Sequence, residues 1–168
     1  SRWSKALSPA NLLAEQAWIL VPGVPGLIVG LLIFGIAWLI AYLATGTGPF
    51  EMEPRGPGSF EPRLRDYADI AKLIISLAVG SIVLLAGTGL FRGAGLLPWV
   101  FGSPLALLAL SVVFSVVFMG LLVRSYESFL HEHPYTRLAY SLNVALGFSA
   151  LICFSVGYLW LAFRLIQR

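Results

Sequence analysis

The chain has little charge. Lys, Arg, Asp and Glu make up 11% of its 168 residues, under half of the roughly 25% found in soluble domains. Where charge is missing matters more. Residues 16–50, between Glu15 and Glu51, are 35 uncharged positions in a row. Residues 73–91, 93–123 and 138–163 add runs of 19, 31 and 26. No ionisable Asp, Glu, Lys, Arg or His interrupts any of the four. This disfavours proton relays, ion paths and buried haem, which place such groups at mid-membrane.

Other scarcities narrow the field further. A single cysteine, Cys153, excludes an intramolecular disulfide, so cysteine usage does not report the redox compartment. It reads as a small apolar thiol. Only two histidines occur, His131 and His133. The net charge of +3 and pI near 9.3 come from eleven basic residues scattered over helix ends and loops, without a Lys/Arg cluster. Nucleic acid is therefore not an expected partner. The mixed first 17 residues and the length of the first apolar run give no sign of a cleavable signal peptide, and the opening Ser1 fits removal of an initiator Met.

What is present is apolar. Hydrophobic residues reach 58% and the mean hydropathy is +0.87, outside the soluble range. A hydrocarbon core of about 30 Å takes about 20 helical residues. Each uncharged run can supply one crossing. The expected fold is an all-α integral membrane protein with four transmembrane helices in a bundle, at about 24–44, 70–91, 105–123 and 140–163. A short amphipathic N-terminal interfacial helix is expected within 1–23, where Ser8-Pro9 reads as N-cap and N1. Pro22, Gly23 and Pro25 separate it from the membrane domain, 24–168.

Local signals mark the joints. Eight Gly and Pro residues between 46 and 62 make 45–62 the one long loop, which Glu51, Glu53, Arg55 and Glu61 keep solvated. The second helix is expected to start after Pro62, with Arg63, Arg65, Asp66, Asp69 and Lys72 in wet first turns and its apolar part at 73–91. Ser103-Pro104 reads as the start of the third. That helix can continue past 123 to Glu132. Pro134, with His133 near the N-cap, is expected to open the fourth, giving a tight antiparallel hairpin.

One spacing stands out. Ser141, Ala145, Ser149, Cys153 and Gly157 recur every fourth residue. Such a row drifts about 40° per step around a helix. Small residues there let a neighbouring backbone come close, where lipid gives no hydrophobic reason to associate. Gly26 and Gly30 repeat the pattern in the first span, with shorter echoes at Ser76/Gly80 and Ser111/Ser115. Asn143 is the most polar group in the fourth span. It either hydrogen-bonds to another helix or sits at the interface.

Catalytic and metal chemistry find little support. Glu127 and His131 are four apart and share a helix face, and His133 and Glu132 lie beside them. This polar tip lacks the three or four converging ligands of a metal centre. It sits beyond the apolar run, too near water for a membrane haem. Asp66, Asp69 and Lys72 read as ion pairs at a helix end, with no nucleophile–base arrangement. The glycine-rich segments lack a phosphate-loop signature.

The expected function is thus non-catalytic. The chain reads as an accessory or structural subunit of a larger multi-subunit membrane complex, with the bilayer and other membrane subunits as partners and no cofactor. The alternative is a small redox, quinone- or lipid-binding anchor of an electron-transfer complex, using the helix ends and the His131/His133 tip, with bound lipid or quinone possible. Four crossings put both termini on one side. Five basic residues on that side against six on the other do not decide orientation. The long loop, which can translocate, favours cytoplasmic termini.

Overall fold

The computed structural model describes residues 23–46, 61–87, 99–130 and 136–167. These residues form four α-helices: α1 (Val24–Ala44), α2 (Glu61–Gly87), α3 (Trp99–Leu130) and α4 (Arg137–Ile166). All four are long and apolar enough to cross a membrane. Residues 1–22, where an interfacial helix is expected, and 47–60, most of the expected loop, lie outside the described residues.

Packing centres on α3 and α4. These two share the most extensive contact, α1 lies against both, and α2 lies chiefly against α3. Gly157 of α4 meets Pro104 and Leu107 near the start of α3, while Asn143 meets Ser125 near its end. The two helices are therefore antiparallel. Gly26 and Gly30 of α1 approach Ser103 and Leu110, so α1 runs parallel to α3. Tyr67 of α2 meets Phe118 edge to face, and Ala78 shares a buried cluster with Phe101 and Leu108, so α2 runs antiparallel to α3. The direction of the chain thus alternates along the sequence.

Two apolar clusters hold the helices together. Ala78, Phe101, Leu108 and Leu161 bring α2, α3 and α4 to one point. Leu107, Phe114, Leu146, Ala150 and Cys153 form the second, with Ile33 and Phe34 of α1 packed on it. Phe34 stacks on Phe114 at 5.4 Å between ring centroids. Much of the remaining apolar surface faces outward, as on Leu43 at 69% exposed and Leu159 at 68%. That distribution suits a lipid solvent, in which apolar side chains gain nothing by being buried.

Helix ends differ from expectation at two places. The third helix begins at Trp99, not at Ser103, and carries Pro104 inside it. Proline removes one hydrogen bond to the preceding turn. The added turn buries Phe101 to 2% exposure between α2 and α4. The cap of the fourth helix is Thr136, not His133. Its backbone is extended and its hydroxyl accepts from the Ala139 N–H at 3.3 Å. Threonine is a strong N-cap type and satisfies a first-turn donor.

The register of α2 bears on depth. The apolar run 73–91 is expected to cross with the charges outside; residues 88–91 lie outside the described residues, and among the described ones the candidate span is Leu64–Leu84. Lys72 lies midway between Tyr67, which meets Phe118, and Ala78, which clusters with Leu108. It is thus level with about Val113. Phe114, one residue on, stacks on Phe34, the central residue of α1. Lys72 therefore sits at about the level of the middles of α1 and α3. Asp69 is about 4.5 Å nearer one end, at about 1.5 Å per residue. Packing sets this register, because Ala71, Ile74 and Ala78 form the buried strip by which α2 seats on α3.

Candidate functional site

The small-residue row on α4 is buried along its whole length. Ser141, Ala145, Ser149 and Cys153 are fully buried, and Gly157 is buried with them. A Cβ on Gly157 would lie 3.1 Å from Leu107 Cβ and 3.2 Å from the Pro104 carbonyl oxygen. The neighbouring backbone leaves no room for a larger group. On the facing side, Ser111 and Ser115 of α3 are buried as well. Ser111 and Ser141 donate their hydroxyls to the Leu108 and Leu138 carbonyls within their own helices, at 2.7 and 3.0 Å. Each hydroxyl thereby finds an acceptor at no cost in side-chain volume.

Gly26 and Gly30 serve α1 in the same way. A Cβ on Gly26 would overlap the Ser103 backbone carbonyl, and one on Gly30 would overlap the Leu110 side chain. The first obstacle is backbone and cannot swing aside. Ala41 and Thr45 continue the buried strip. The echo at Ser76/Gly80 behaves differently. Both residues are exposed, and a Cβ on Gly80 would meet nothing within 4 Å.

Polar contacts tie the opposite end. Asn143 donates its Nδ2 to the Ser125 Oγ at 2.9 Å in a buried α3–α4 hydrogen bond, and Ser125 donates to the Leu121 carbonyl at 2.7 Å. Asn143 thus bridges helices. Arg137 adds a contact that sequence reading missed. Its Nη2 donates to the Tyr42 carbonyl in the last turn of α1, and its guanidinium lies over the Tyr42 ring, 4.2 Å from the centroid. The cation meets a helix C-terminus, where the macrodipole is negative. An aromatic on α1 and a cation opening α4 were the available signals, but nothing in sequence pairs positions 95 apart.

The polar tip is only partly described. Glu127 is exposed on the last turn of α3. His131 and His133 lie outside the described residues. Among the described residues, no group of three His, Cys, Asp or Glu side chains could hold a metal ion. Asp69 and Lys72 form an ion pair at 3.1 Å, both side chains about 60% exposed. In comparisons with known proteins, the chain matches no family model, no curated protein and no solved structure.

Proposed function

We propose that this chain is a non-catalytic accessory subunit of a larger multi-subunit membrane assembly. In this reading α1–α4 form a transmembrane bundle, both termini lie on the cytoplasmic side, and residues before 23 lie along the interface. The 141–157 row and Gly26/Gly30 are its internal packing devices, and the broad apolar faces meet lipid or neighbouring subunits.

One observation carries the proposal. The outward side of α2 is polar at the level of its neighbours' apolar middles. Asp69 and Lys72 are exposed within one turn of that level, and Arg65 and Ser76 are exposed further along the same side, away from the buried Ala71, Ile74 and Ala78. A charged side chain facing lipid at that depth costs about 2.5–3.5 kcal/mol. A protein neighbour offering polar groups removes that cost. Among the described residues, no part of this chain buries that face.

Purification in mild detergent tests the reading. Stoichiometric companion membrane proteins are expected by mass spectrometry, and loss of the chain should destabilise them. A preparation containing the chain alone, as a monomer, would contradict it.

A further inference from the structure

We infer that the outward stripe of α2 is a self-association face, occupied by α2 of a second copy of this chain. The inference rests on the assembly reading and names one of its contacts.

The stripe is continuous. Arg65, Asp69, Lys72, Ser76 and Gly80 follow one another at intervals of four, three, four and four, so they share one side of the helix. Every one of them is exposed. Ala71, Ile74 and Ala78, at 3%, 4% and 0% exposure, lie on the reverse side against α3. The stripe therefore points away from the other described helices. It combines two features on one line. The half nearer the α2 N-terminus carries charge, and the half beyond it is small.

Charge complementarity selects the occupant. Arg65, Asp66, Asp69 and Lys72 carry two positive and two negative charges, so the patch complements itself. Copies inserted in the same orientation meet with parallel helices across a two-fold axis, and the same patch faces itself. Asp69 of each copy then lies beside Lys72 of the other, one turn away, and the pairing occurs twice. Helical side chains lean toward the N-terminus, which aims Lys72 at the level of Asp69. Within one chain this pair already closes at 3.1 Å while largely exposed. A second copy would convert it into a four-member network shielded from lipid.

Ser76 and Gly80 supply the close approach that this network needs. They form a small-xxx-small pair, the spacing at which two membrane helices bring their backbones together. Gly80 has open space where its side chain would be. The inward-facing Gly26 and Gly157 meet backbone or side chains of α3, so this outward pair is the one without an occupant among the described residues.

Disulfide trapping of Ser76→Cys in native membranes, using copper phenanthroline, tests the inference. Cys153 is fully buried and does not compete. Facing cysteines with Cα atoms about 4.4–6.8 Å apart should form a band at twice the chain mass. Val113→Cys, exposed on α3 at the level of Lys72, about one turn from Ser76, should form none. Asp69→Lys or Lys72→Asp alone should cut the linked fraction about tenfold, the equivalent of about 1.4 kcal/mol. The combined exchange should restore it, because the reciprocal pairs are rebuilt with reversed sign. Linkage of the Ser76→Cys variant to a different polypeptide would overturn the second-copy inference and leave the assembly reading intact. So would absence of linkage with the chain still in a larger native species. Absence of linkage from a monomeric chain would overturn both.

Discussion

Arg137 closes α1 onto α4 by two contacts with one residue: its guanidinium binds the Tyr42 carbonyl and covers the Tyr42 ring. The two contacts are separable by mutation. Tyr42→Leu removes the ring and keeps the carbonyl, whereas Arg137→Ala removes both. A cation–π contact contributes about 0.5–2 kcal/mol and a hydrogen bond to a charged group about 1.5–3. Arg137→Ala should therefore lower thermal stability in detergent more than Tyr42→Leu. In the Arg137→Ala background, Tyr42→Leu should add little. Equal and additive losses would mean that the two residues act independently.

The α3–α4 seam gives a volume prediction. Gly157→Leu and Ser149→Leu each place a bulky side chain where no space exists, against Pro104 and Leu107 in the first case. Overpacking typically costs about 1–3 kcal/mol. Both variants should lose thermal stability and assemble poorly, while Leu151→Ile, on the exposed face, should behave as wild type. Retention of the assembled species by both bulky variants would reduce the row to an accident of composition.

Gly26 separates backbone from side-chain crowding. Gly26→Ala collides with the Ser103 carbonyl, and Gly30→Ala collides with the flexible end of Leu110. The first should destabilise more, because a leucine methyl can move and a helix backbone cannot without separating α1 from α3. Melting curves of the two variants in one detergent make the comparison. The reverse order would argue against this α1–α3 contact.

Asn143 and Ser125 should be coupled. An interhelical hydrogen bond in membranes contributes about 0.6–2 kcal/mol. Asn143→Ala and Ser125→Ala should each remove it, and the double variant should cost less than the sum. Strict additivity in a double-mutant cycle would show that the 2.9 Å contact carries no interaction energy.

The histidine tip should hold no metal. His131→Ala with His133→Ala is expected to leave the metal content of the purified protein unchanged and near zero, by elemental mass spectrometry. Two imidazoles beside Glu127 and Glu132 fall short of a structural site's ligand set and spacing. Stoichiometric metal lost on substitution would revive the redox-anchor alternative.

The four helices long and apolar enough to cross a membrane were legible because long uncharged runs have few soluble interpretations. The 141–157 row was legible as spacing, since small residues every fourth position share a face whatever the neighbour. Spacing alone could not separate that row from Ser76/Gly80, which repeats the pattern on an outward side. Facing is decided by the partner helix, and α2 seats its Ala71–Ile74–Ala78 strip instead. The register of α2 against its neighbours was hidden for the same reason, because it is set by contacts such as Tyr67 against Phe118. The Arg137–Tyr42 clasp left no local trace, because it joins the end of one helix to the start of another across two intervening spans.

The most direct test of the central claim is the native mass of the chain in mild detergent, measured beside that of its partners when the chain is deleted. The account expects a species much larger than 18.2 kDa that contains this chain in fixed proportion and falls apart without it. A monomeric, colourless protein that turns over a substrate by itself would contradict the account.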